Sequence, residues 1–156
     1  MKVQTKRYAR IIGIILFLIY LSILFYFLFF SEEYDRNIVA TTYRYNFNPF
    51  REIMRFWNYR QQLGTRVVVV NLVGNVMAFV PFGFILPIIS DRLKGCVKVT
   101  FLGLLLSLSV EGLQLLTRVG SCDIDDVILN TFGALLGYCL FVMCSLAWRK
   151  INGKKV

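Results

Sequence analysis

The chain has 156 residues, of which 57% are hydrophobic and only 17% charged, with a mean hydropathy of +0.62 and a formal net charge of +9. A soluble domain carries about 25% charged residues, so this balance excludes an ordinary soluble globular protein. The sequence contains no histidine, which excludes His-based acid–base catalysis, Ser-His-Asp and Cys-His triads and the usual zinc sites.

Residues 1–10 are basic, with Lys2, Lys6, Arg7 and Arg10, and precede an uncharged run over 11–30. About 20 apolar residues cross a bilayer core, so this run predicts a first transmembrane helix. It is longer than a signal-peptide h-region and ends in Phe-Phe-Ser-Glu-Glu without a small-x-small cleavage site, which reads as an uncleaved anchor. The loop 31–66 follows. Within it Asn48-Pro49 reads as an N-cap with proline at the first helical position, and Gly64 as a stop. Phe50, Ile53, Met54 and Trp57 share one side, and Arg51, Arg55, Asn58 and Gln62 another. The spacing predicts a short amphipathic helix over 50–63 lying in the outer interface, either capping the bundle or acting as a lid.

A second uncharged run, 67–89, predicts the second span, with Pro81 and Pro87 expected to kink it or free carbonyls such as that of Met77. The third span, 97–116, carries only Lys98 and Glu111, and the fourth, 127–148, is uncharged. Spans two and four carry Asn71, Gly74, Asn75, Ala78 and Asn130, Gly133, Ala134, Gly137, each at positions i, i+3, i+4 and i+7. Small stripes let helix backbones approach closely in lipid, so packing is the default explanation of these glycines. The sequence therefore predicts one all-α membrane domain of four transmembrane helices with a short interfacial helix in the first outer loop.

With the N-terminus inside, segments 1–10, 90–98 and 149–156 hold eleven basic residues against Asp91, including every lysine, while the outer segments hold seven arginines against seven acids. That is the positive-inside asymmetry, and it places both termini in the cytoplasm. It also accounts for the +9 charge without a nucleic-acid partner. The four cysteines show no C-x-x-C pair and no metal-like spacing, so no disulfide framework is implied.

Ser107, Glu111 and Gln114 share one face of the third span, and Glu111 lies about 21 Å along the helix from Val97 at 1.5 Å per residue. A carboxylate at that depth costs a few kcal/mol unless protonated, paired or hydrated, so its face must look into the bundle. Asn71, Asn75 and Asn130 enter from the same side, and the connecting loop adds Arg118 with Asp123, Asp125 and Asp126. In one reading Glu111 pairs with an arginine and the amides hold helices together. In the other, the cluster is a ligand site facing the outer leaflet. The three aspartates fit neither an EF-hand nor a zinc pattern. They are weak candidates for a metal and also suit the cap of a helix beginning at Val127.

The polar positions resemble the VanZ-like family of small bacterial membrane proteins. The resemblance rests on Asn46-x-x-Pro49-Phe50, on Gly74-Asn75 with Phe79-Val80-Pro81-Phe82-Gly83, and on Ser107-x-x-x-Glu111-x-x-Gln114. It continues with Asp123-x-Asp125-Asp126-x-x-x-Asn130-x-x-Gly133-x-x-x-Gly137, in the family's order over about residues 46–138. It implies a multi-pass protein of the bacterial plasma membrane, from a Gram-positive host, and adds Asn46 to the candidate ligand-binding residues. The family's namesake is associated with reduced susceptibility to the glycopeptide teicoplanin, and no accepted catalytic mechanism comes with it. The expected function is a non-enzymatic envelope protein binding a lipid-linked precursor, a lipoglycopeptide or another amphiphile, without a cofactor. The alternative is a membrane-embedded enzyme on a lipid-linked substrate, with Glu111 as general acid or base. A transporter ranks last, because the inner halves of the spans offer almost no polar lining.

Overall fold

The computed structural model describes residues 3–30, 43–151 and 153. Residues 31–42 of the first loop, and the basic residues Lys2, Lys154 and Lys155, lie outside the described residues. Four helices are long and apolar enough to cross a membrane: α1 (Val3–Phe30), α4 (Thr65–Ile89), α5 (Cys96–Thr117) and α6 (Ile124–Ile151). Between α1 and α4 come β1 (Tyr45–Asn46) and two short helices, α2 (Arg51–Asn58) and α3 (Arg60–Leu63). A 3-10 turn, Asp91–Leu93, joins α4 to α5, and β2 (Cys122–Asp123) leads into α6. The chain is an all-α membrane protein.

α4 is central and packs against α1 and α6, while α5 leans mainly on α6. The core is formed by Leu24, Phe79, Phe82, Leu86, Val99 and Ala134. Ile11, Ile15 and Leu18 on α1, Phe101 and Leu105 on α5, and Leu140 on α6 point away from it and are exposed. Such apolar surface is foreign to a soluble monomer and fits acyl chains as solvent.

The glycines explain the α4–α6 contact. A Cβ on Gly133 stands 2.1 Å from the Val76 carbonyl oxygen, one on Gly137 2.1 Å from that of Val80, and one on Gly83 1.9 Å from that of Ala134. Backbone therefore rests on backbone, as small-residue stripes allow where lipid gives no hydrophobic drive to helix association. The stripe of α4 behaves differently. Gly74 and Ala78 face α1, whose Tyr20 hydroxyl donates to the Ala78 carbonyl at 2.9 Å, in the turn before Pro81.

The loop helix forms as two pieces that meet at Tyr59, and Gly64, at φ 83°, ends the second. Its start differs from the sequence expectation. Asn48 does not cap it; the helix begins at Arg51 behind Phe50, which sits in the left-handed region at φ 64°. α6 likewise begins at Ile124 rather than Val127, because Asp123 precedes it as N-cap and its Oδ1 accepts the Asp125 N–H at 2.9 Å.

Candidate functional site

The loop end of the bundle is held by a short parallel pairing, Tyr45 with Cys122 and Asn46 with Asp123. The Cys122 N–H donates to the Arg44 carbonyl at 3.1 Å. Side chains extend this seam. Asn46 Nδ2 donates to Asp123 Oδ1 at 3.1 Å, and Asn46 Oδ1 accepts the Asn48 N–H at 3.2 Å. From below, Glu111 of α5 accepts the Asp123 N–H on Oε2 at 2.8 Å and is only 4% exposed. A carboxylate at that depth thus fixes the entry of α6.

Asp125 explains where α2 begins. Its carboxylate, 1% exposed, accepts the N–H of Phe50 on Oδ1, and those of Glu52 and Ile53 on Oδ2 at 2.7 and 3.1 Å. The first N–H groups of a helix have no partner within it, and an anion there also meets the positive end of the helix dipole. The cap of α2 therefore comes from another helix. The left-handed turn at Phe50 aims its N–H at that carboxylate, in a conformation uncommon for a bulky residue.

The remaining candidates divide. Asn75 Nδ2 donates to Asp126 Oδ1, joining α4 to α6. Asn130 Nδ2 donates to Ser107 Oγ at 2.9 Å, joining α6 to α5, and Gln114 Nε2 donates to the Leu28 carbonyl of α1 at 3.2 Å. Asn71 donates to Val67 of its own helix at 2.8 Å. Arg118 turns aside: it donates to the Tyr43 hydroxyl at 3.1 Å and lies 4.4 Å over that ring.

Burial pushes the Asp123 carboxyl above its ordinary value, with Asp125 adding to the shift. The Asp125 N–H, the Asn46 amide and the Arg55 charge oppose it in part. The Cys122 thiol is raised by burial first, then by Glu111, Asp123 and Asp126. The three aspartates point into three different contacts, and among the described residues no three His, Cys, Asp or Glu side chains gather as metal ligands.

Two cavities border the cluster. A polar one of about 840 Å³ is lined by Asn46, Asn71, Asp123 and Asp126 together with Arg44, Arg51 and Arg55. An apolar one of about 320 Å³ lies between α1 and α4 and reaches Asn75. Glu111, Gln114, Asp125 and Asn130 thus form a buried frame that lines neither cavity. Asn46, Asn71, Asp123 and Asp126 border the polar cavity, although Asn46 and Asp123 are themselves buried, and Asn75 borders the apolar one. The three arginines were missed as candidates because loop charge had already been assigned to topology. The signal available was Arg51 and Arg55, one turn apart on one helix face.

Residues 17–146 match the family described as VanZ/LLP1. The chain is 36% identical over 85 residues to Protein VanZ of Enterococcus faecium. That match covers 54% of the chain and 50% of the relative, so it spans about half the length of the curated protein. No solved structure matches.

Proposed function

The chain belongs to the VanZ/LLP1 family, and from that premise we propose an envelope protein of the bacterial plasma membrane whose polar cavity opens outward. In this reading it binds a lipid-linked or amphiphilic ligand there and so alters the response to a glycopeptide such as teicoplanin. Both termini lie in the cytoplasm, as the eleven basic residues of segments 1–10, 90–98 and 149–156 favour. The whole chain acts as one membrane domain. α2 rests at headgroup depth with Met54 and Trp57 exposed.

The observation that carries the proposal is the large cavity beside the seam, walled by Asp123, Asp126, Asn46 and Asn71. Ligand sites are concave and combine apolar lining with a few placed polar groups. The buried frame supports this wall, as side chains behind a binding surface fix those that touch the ligand. The geometry favours binding over catalysis by Glu111. That carboxylate is 4% exposed, lines neither cavity and holds the Asp123 N–H.

Express Asp126→Asn and Asn71→Leu at parental membrane levels and measure teicoplanin susceptibility. The expected result is loss of at least half of the parental effect in each, because both face the cavity. Full retention by both variants sinks the proposal.

A further inference from the structure

The polar and apolar cavities share one strip of α4. Asn71 lines the polar cavity and Asn75, one turn deeper on the same face, lines the apolar one. Asn75 also donates to Asp126, itself part of the polar wall. A molecule extending from one cavity to the other therefore stays against α4 and meets polar groups at one end and apolar groups at the other.

The apolar end lies along spanning helices, between Ile23, Leu24 and Phe27 of α1 and Gly74 and Ala78 of α4. Its surroundings are hydrocarbon, and its walls offer a chain the contacts that bulk lipid offers plus a defined shape. The polar end is mixed in sign. Arg44, Arg51 and Arg55 share its wall with Glu52, Asp123 and Asp126. Arg55 is held by Glu52 at 2.6 Å. Arg44 and Arg51 have no carboxylate within ion-pair distance among the described residues. Their two guanidinium forks match phosphate oxygens in shape and charge. The carboxylates beside them can accept hydrogen bonds from hydroxyls or an ammonium.

Resting on the reading of this region as an amphiphile site, we propose that its ligand is a phosphodiester lipid. One chain lies between α1 and α4, the phosphate sits against Arg44 and Arg51, and the donor-bearing end of the head group meets Asp123 and Asp126. A purely apolar lipid leaves the arginines unused, and a soluble phosphate leaves the α1–α4 groove unused.

Native mass spectrometry of the purified protein in non-ionic detergent tests this with three probes. These are phosphatidylglycerol, diacylglycerol with the same chains, and glycerol 3-phosphate. Phosphatidylglycerol is expected to bind at least tenfold more tightly than either of the others. The double variant Arg44→Gln/Arg51→Gln loses about tenfold for phosphatidylglycerol and leaves diacylglycerol unchanged. Ile23→Trp, on a lipid-exposed wall, weakens both chain-bearing probes, and its unfolding temperature checks that the fold persists. Equal binding of diacylglycerol and phosphatidylglycerol, or no effect of the arginine substitutions, overturns the phosphate assignment while the amphiphile reading stands. Equal binding of glycerol 3-phosphate and phosphatidylglycerol overturns the chain assignment. Absence of binding by every chain-bearing probe overturns both readings together.

Discussion

Asp125→Ala is expected to release α2 from the bundle at a cost of about 3 kcal/mol. The side chain is 1% exposed and its two oxygens accept three backbone N–H groups, those of Phe50, Glu52 and Ile53. Hydrogen bonds to a charged acceptor contribute about 1.5–3 kcal/mol each, and the loss is less than their sum because freed amides regain water once α2 swings away. Asp125→Asn keeps one accepting oxygen but turns an amide N–H₂ toward a backbone donor, so it falls between the two. Amide hydrogen exchange at residues 50–53 is the measurement. Exchange at least a hundredfold faster in the alanine variant is expected, and unchanged protection contradicts the capping role.

Gly137→Ala and Gly133→Ala are expected to destabilise the fold by about 3 kcal/mol each, the upper end of ordinary overpacking. In both cases the new methyl meets a carbonyl oxygen of α4 at 2.1 Å, and a backbone cannot rotate away as a side chain can. The helices must separate, which also disturbs Phe79 and Ala134 in the core beside them. Gly112→Ala is the control, since nothing lies within 4 Å of its Cβ. There a better helix former replaces glycine at no steric cost, a gain of about 0.5–1 kcal/mol. Thermal unfolding in detergent separates the two outcomes, and equal unfolding temperatures for all three variants contradict the close contact.

Much of this architecture was legible because lipid makes polarity expensive. Glu111, Gln114 and Asn130 stand out in apolar runs, and their spacing alone places them on inward faces. Gly133 and Gly137 were legible for the same reason, as small residues at one-turn spacing. Gly83 was not, because it lies between two prolines whose expected kinks masked its packing role. The start of α2 was misread because Asn48-Pro49 is a local signal, whereas the group that caps the helix, Asp125, lies 75 residues away from Phe50. No sequence pattern announces the two-residue pairing of β1 with β2. Arg118 was grouped with the acids by nearness in sequence, but its left-handed backbone, φ 58°, turns it over Tyr43.

The separation of a buried frame from a cavity wall changes what the polar cluster means. Glu111 and Asp125 hold backbone in place, and the groups that line the polar cavity, the ones proposed to meet a ligand, are Asp123, Asp126, Asn46, Asn71 and the three arginines. The proposed ligand role requires the cavity to open outward. Ser121 lines that cavity, and Ser90 lies at the opposite end beside Asp91. With Cys96, Cys122, Cys139 and Cys144 replaced by alanine, labelling of intact cells with a membrane-impermeant maleimide should modify Ser121→Cys, and should modify Ser90→Cys only after permeabilisation. Modification of Ser90→Cys alone in intact cells contradicts the outward-facing cavity.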